Sequence, residues 1–373
     1  MHTTEFEVLS DDAIEALRSK IDEPVHRGRV YRSVLDADAI KAYALGIGDP
    51  NPLWTDPGHR PGQPLLAPPS ALFSMDRVLS GYVMGLPGIH AMWAGADIRY
   101  ERPLQEGDRL TGTARLKDLI ERPSRFAGRS FQQIYTVEFH DPAGELVATG
   151  DSYCFRIARD AAREAGKYEP IRVEWTPEQI AELGQRYAEQ EARRRGSTPR
   201  YVEEVQVGDS VPPIIKGPYT ATTAVAFLLG WGGLYVRAHG DAFELYERHP
   251  ALAIPNEWGV PEPPERVHWD PILAARVGVP GAYDYGPERW SWMSHVVTDW
   301  MGDMGHLQRI NVEVRRHNVL GELVTCDGTV TGVDTATGVV QLKLNGVNQD
   351  GHESARGTAE VVLPKRGHDH GAA

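Results

Sequence analysis

Trp54-Thr55-Asp56-Pro57 and His268-Trp269-Asp270-Pro271 stand 214 residues apart, and the order of segments around each pair decides the fold. Downstream, Ile98-Arg99-Tyr100-Glu101 matches Ile310-Asn311-Val312-Glu313 at nearly the same offset, 212. Upstream, Tyr43-Ala44-Leu45-Gly46 matches Phe227-Leu228-Leu229-Gly230 at an offset of 184. The second copy therefore carries 30 extra residues (214 against 184) before His268, and Tyr235 to Arg266, with five prolines, is the candidate insertion. Four matched blocks in one order argue for an internal duplication.

Each copy begins with an amphipathic helix. Ile14, Leu17 and Ile21 recur at helical spacing behind Ser10, and Thr176-Pro177-Glu178-Gln179 supplies an N-cap, a first-turn proline and a capping-box glutamine. After Arg29-Val30-Tyr31-Arg32 in the first copy and Pro213 to Tyr219 in the second come short helices, Ala39 to Leu45 and Thr222 to Leu229. Further helices are expected over about Pro69 to Leu79 and about Pro287 to Trp300. Long alternating runs close each half: Asp97 to Tyr100, Arg109 to Ile120, Phe131 to His140 and Glu145 to Ile157, then Leu307 to Arg315, Leu323 to Val333, Gly338 to Gln349 and Ser354 to Leu363. One helix followed by antiparallel strands that wrap it is the plan of a hot-dog domain, so the expected class is α+β, a double hot-dog. The halves divide at 1–165 and 166–373, with Ala158 to Tyr168 as the linker.

The 373 residues exceed what one core usually supports, which agrees with two domains. Acidic residues outnumber basic ones, 52 to 39, and no basic block offers a row of phosphate contacts, so nucleic acid is not an expected partner. Ala221 to Val236 is too short and too glycine-rich for a bilayer span of about 20 residues and reads as a buried helix. The two cysteines, Cys154 and Cys326, and an N-terminus without an apolar signal core point to a cytoplasmic protein without disulfides. No metal-ligand cluster and no cofactor fingerprint is visible, and His368-Asp369-His370 reads as a frayed tail.

Gly48-Asp49-Pro50-Asn51-Pro52-Leu53-Trp54-Thr55-Asp56 resembles the hydratase motif of the MaoC-like and R-specific enoyl-CoA hydratase family, Gly-Asp-x-Asn-Pro-x-His-x-Asp. Every fixed position but the histidine is present, and Leu66 to Phe73 follows where that family starts its central helix. The resemblance implies a hot-dog protein acting on acyl-CoA thioesters, in which the Asp and His of the motif hold the water that adds to a 2-enoyl thioester. Trp54 departs from the pattern: indole donates one hydrogen bond but neither takes up nor releases a proton near neutral pH. The first half is therefore expected to lack acid–base chemistry.

The second half restores the imidazole, because His268 occupies the repeat position of Trp54 and Asp270 that of Asp56. Where the motif would carry its Asp stands Pro263, which leaves Asp241, Asp49, Glu244 and Glu265 as candidate partners, Asp241 preferred. Gly286, at the amino end of the second central helix, is the candidate N–H donor to a thioester oxygen, a role that Pro68 and Pro69 cannot fill in the first half. Asn51, Trp54, Asp270, Tyr285, Arg289 and His295 are the expected substrate-binding residues; His295 and Asp299, four apart on a helix, also suit a structural pair or a second acid–base couple. Trp231, Trp258, Trp290, Trp292 and Trp300 are candidates to line an acyl tunnel.

Together with the resemblance, these residues predict an acyl-CoA hydratase or dehydratase with His268 as general acid–base, and the resemblance implies a dimer of fused chains. A non-catalytic acyl-thioester binding subunit of a hetero-oligomer is the alternative, since a partner chain could bring the complete Asp and His. A hot-dog thioesterase is a third reading, with Glu288 as its carboxylate.

Overall fold

The computed structural model describes residues 9–25, 30, 32–86, 89–124, 128–157 and 171–367. The linker, the division at 165/166, the extreme N-terminus, Arg29, Tyr31 and His368 to His370 lie outside the described residues. The helices are α1 (Asp11–Arg18), α2 (Ala37–Gly46), α3 (Pro52–Thr55), α4 (Leu72–Met75), α5 (Pro177–Arg193), α6 (Ala221–Trp231), α7 (His239–Arg248), α8 (Pro271–Arg276) and α9 (Gly286–Met301). The strands are β1 (His90–Tyr100), β2 (Thr111–Ser124), β3 (Gly128–His140), β4 (Leu146–Ile157), β5 (Ser210–Lys216), β6 (Ile254–Pro255), β7 (Pro261–Glu262), β8 (His306–Val314), β9 (Val324–Asp334), β10 (Val339–Asn348) and β11 (Glu353–Val362).

Ser10 accepts from the Ala13 N–H at the start of α1, and Thr176 and Gln179 form the expected capping box on α5. The alternating runs become strands because one side chain in two reaches the core; in β10, Val340, Leu342 and Leu344 are buried between exposed Gln341 and Lys343. Nine strands form one antiparallel sheet in the order β2-β3-β4-β1-β8-β11-β10-β9-β5, so a double hot-dog shares a single continuous sheet.

The duplication is visible in how the halves meet. At the β1–β8 junction Ile98 pairs with Ile310, its repeat equivalent, as expected where an approximate two-fold axis crosses an isologous contact. The α2–α6 contact is reciprocal in the same way. A Cβ on Gly46 would come within 2.8 Å of the Ala226 carbonyl oxygen, and one on Gly230 within 2.7 Å of that of Ala42. The two backbones touch at both glycines, which leaves no room for a side chain.

Three expectations need correction. The first central helix is not continuous from Pro69 to Leu79: a 3-10 turn (Pro69–Ala71) leads into the four-residue α4. The Phe73 carbonyl accepts from the Ser80 hydroxyl (2.6 Å) and the Trp231 indole (3.0 Å), and the Leu79 N–H bonds the Asp76 side chain (2.8 Å), so side chains take the bonds that would continue the helix. The segment from Ala221 is helical only to Trp231, where Gly232 turns left-handed (φ 94°), and it is not wholly buried, since Val225 and Leu229 face outward. Trp258 lines no tunnel: it is 78% exposed beyond β6, where the Asn256 side chain accepts from the Trp258 and Val260 N–H groups.

Helix α9 is buried on all sides and packs on β8, β5, β1 and β9, the place of a central hot-dog helix. Cys154 and Cys326 are buried free thiols, with ionisation pushed up to about 12 by burial. Among the described residues no helix is long and apolar enough to cross a membrane.

Candidate active site at the amino end of the central helix

His268 ends a 3-10 turn, Pro264–His268, that is anchored before it reaches the ring. Both oxygens of the buried Glu265 carboxylate accept backbone N–H groups, from Leu234 at 2.7 Å and Tyr235 at 2.6 Å, which ties the start of the insertion to this turn. Arg266 forms ion pairs with Glu262 and Asp270, and Asp270 caps α8 by accepting from Ile272 and Leu273.

The His268 ring is held on several sides. Its Nδ1 lies 2.7 Å from the Tyr283 carbonyl oxygen, an acceptor only, so Nδ1 carries the hydrogen and Nε2 keeps its lone pair. The ring stacks on Tyr285 at 3.8 Å, and Tyr283 meets it edge-on at 4.8 Å and meets His317 at 4.4 Å. Enclosure lowers the His268 pKa to about 3, opposed by the bond to Tyr283 and helped by His317. His317 is lowered to about 4 by burial, with Arg289 and Arg316 adding to it. Both imidazoles are thus neutral at physiological pH. The Tyr285 hydroxyl is buried and has no hydrogen-bond partner among the described residues; burial raises its pKa far above 10, so it remains a proton donor.

Tyr285 caps α9, which joins His268 to the helix start. Gly286 follows, and a Cβ there would fall 2.2 Å from the Trp93 ring of the first half, so the glycine is required by packing whatever its N–H does. Arg289, expected among the substrate-binding residues, is engaged within the fold. Its fork grips Asp284 (Nε to Oδ2 2.8 Å), its Nη1 donates to the carbonyls of Ser354 (2.9 Å) and Arg316, and Asn318 adds a bond to Asp284 at 3.1 Å. This network fixes the helix start against the sheet.

The structure does not bring the preferred carboxylates to His268. Asp241 is 67% exposed and pairs at 3.5 Å with the more buried Arg237, which precedes the N-cap of the same helix. Glu244 is exposed on the same helix. Asp49 turns instead to the middle of α9, where the buried His295 Nε2 lies 3.2 Å from Asp49 and 3.2 Å from Asp299. Arg194 pairs with Asp299 at 2.9 Å, and the Lys216 ammonium beside Asp49 donates to the Ile47 and Gly48 carbonyls at 2.9 and 2.7 Å. Burial raises the Asp49 pKa and lowers that of Lys216; Asp299 is also buried, but His295 and Arg194 outweigh that and hold it low. His295, expected among the substrate-binding residues, thus sits in a buried network with Asp49 and Asp299, as the pairing with Asp299 suggested. Asp49, His295 and Asp299 each offer an atom to a metal, all within 4.8 Å of one another. Lys216 and Arg194 already balance the two carboxylates, which disfavours a dication there.

The other motif residues serve the fold. Asn51 caps α3 by accepting from Leu53 at 3.0 Å, and Trp54 is buried with its Nε1 unpartnered among the described residues. The larger recorded cavity, about 520 Å³, is lined by residues including Arg172, Trp175 and Gln349 and touches neither His268 nor Gly286. Glu288, Tyr283, His317 and Lys216 gather around these sites without any local motif that would have grouped them.

Residues 26–150 match the profile of the FAS1-like dehydratase domain region. A UPF0336 protein of Streptomyces coelicolor is 35% identical over 136 residues, which cover 34% of this chain and 85% of the relative. The chain belongs to the UPF0336 family. A solved MaoC-like dehydratase superposes with a TM-score of 0.63 at 16% identity, over 93% of this chain and all of that one. A Mycobacterium tuberculosis protein described as a double hot-dog fold superposes with a TM-score of 0.51 at 10% identity, over 91% of this chain and 97% of that one. The UPF0336 chain is thus a MaoC-like, fused double hot-dog protein of the dehydratase and hydratase group.

Proposed function

We propose that this UPF0336 protein is a hydro-lyase that interconverts a 2-enoyl and a 3-hydroxyacyl thioester, with acyl-CoA as the substrate class and His268 as the base. The supporting observation is the His268 ring stacked on the residue that caps α9, with Nδ1 held by Tyr283 and Nε2 left with its lone pair. First-turn N–H groups of a helix lack intrahelical partners and favour developing negative charge. A thioester oxygen at this end would gain such a donor from Gly286 while Nε2 draws a proton from water adding at the β-carbon. The first half, with Trp54 buried and Asp49 engaged elsewhere, then serves as a wall of the site.

The test is hydration of 2-enoyl-CoA thioesters by the full chain. His268→Ala should lower kcat about 10²- to 10⁴-fold in a chain that still folds; equal turnover would remove the imidazole from the chemistry. A second reading, a non-catalytic acyl-thioester binding subunit, is favoured because, among the described residues, no carboxylate is hydrogen-bonded to the His268 ring, whose Nδ1 meets the Tyr283 carbonyl. Activity of the isolated chain would exclude it, whereas activity gained only with a partner that carries an intact motif would establish it. Self-association as a dimer of fused chains belongs to the first reading and hetero-oligomerisation to the second.

A further inference from the structure

Hydration moves two protons, one off water and one onto the α-carbon, and His268 accounts for the first. Asp49 is committed to His295, Asp241 to Arg237, Asp284 to Arg289, and Pro263 stands at the motif's Asp position. Two further carboxyls lie near Tyr285: Glu265, both of whose oxygens are engaged by the Leu234 and Tyr235 N–H groups, and Glu288, one turn into α9. Glu288 is 2% exposed, and its Oε2 accepts weakly from the Tyr285 N–H at 3.4 Å. His268 and Glu288 thus flank the same residue, one on its ring and the other at its backbone.

We infer that Glu288 is the second acid–base residue of this site, giving its carboxyl proton to the α-carbon of a 2-enoyl thioester while His268 takes a proton from the adding water. The inference rests on the hydratase reading above. In hydration the water oxygen bonds the β-carbon, His268 Nε2 receives the water proton, and the Glu288 O–H supplies the hydrogen of the new α-carbon bond. The imidazolium and carboxylate so formed return to their starting states by passing one proton from the first to the second. Dehydration runs the same transfers backward. Groups facing Glu288 are Tyr285, Asp284 and Arg289 near the helix start, Lys216 on β5, Tyr219 and, from α2, Tyr43. Burial, with the Asp284 charge, holds the Glu288 pKa well above the usual carboxylate range against the pull of Arg289 and Lys216, which keeps the donor form available.

The competing role is a helix cap. Glutamate and glutamine serve equally at this capping position, so Glu288→Gln separates the two roles. In the full chain, E288Q should keep or raise the melting temperature, leave KM within a few-fold and lower kcat about 100-fold. Parental turnover in stable E288Q would overturn the assignment. A second variant keeps the inference testable if E288Q fails to fold: Glu288→Asp retains a carboxyl but draws its O–H back from the α-carbon, and should lower kcat with KM within a few-fold. Parental turnover in a folded E288D would remove Glu288 from the reaction. If the parent chain hydrates no enoyl thioester, the hydratase reading fails and the inference falls with it; an active parent with an active, stable E288Q sinks the inference alone.

Discussion

Asp49 and His268 occupy corresponding loops of the two halves, and the structure sends them in different directions. The first loop keeps its acidic residue but turns it into the protein, onto His295 in the middle of α9. The second keeps its imidazole and lays it at the start of the same helix, against Tyr285. Each loop has lost what the other retains, and both act on the one long central helix, because α4 in the first half is a single turn. A motif residue can therefore outlive its chemistry by gaining a structural partner. The partner decides which has happened.

The strongest way to break this contrast is Asp49→Ala. It strands Lys216 and His295 in the interior, and breaking a buried pair in this way costs about 3–5 kcal/mol, measurable by denaturant unfolding. A variant as stable as the parent but inactive would return Asp49 to catalysis. Acid unfolding probes the other loop. His268 and His317 are held neutral in the fold, at about 3 and about 4, below the ordinary histidine value of about 6.5. The unfolded chain then binds more protons across that interval, so stability falls as pH drops from about 6.5, by at most about 1.4 kcal/mol per pH unit for each histidine. His268→Asn and His317→Asn should each flatten the profile; a flat parental profile would show that neither ring is enclosed. Asp241→Ala should have the smallest effect, within about 0.5 kcal/mol and with turnover unchanged, because the exposed Asp241 carboxylate is screened by solvent. A large loss of activity in D241A would make Asp241 the partner of His268 after all.

Local pattern carried most of the fold. Alternation gave seven long strands to within four residues at either end, whereas β1 begins at His90, well ahead of the expected Asp97, and the matched Gly46 and Gly230 mark where two helices touch backbone to backbone. The shortened first central helix could not be read from its own residues, since one of the groups that ends it is Trp231, a side chain of the other half. The site divides in the same way. His268 and Asp270 were visible as repeat equivalents, and His295 with Asp299 as a helical pair. Asp49 joins that pair from a distant loop, and Arg289 reaches Ser354 on a late strand, contacts that no spacing rule anticipates. Glu288 was legible only as the carboxylate of a thioesterase, and its contact with the Tyr285 N–H and its closed surroundings emerge from the fold.

The antiparallel junction at Ile98 and Ile310 has a genetic consequence. Two identical subunits meeting across such an axis must carry every substitution twice, so a tryptophan in one copy's loop would blind both. Written on a single chain, the lobes can drift separately: one may lose its imidazole while its neighbour keeps it, without ever having to find a mate in solution.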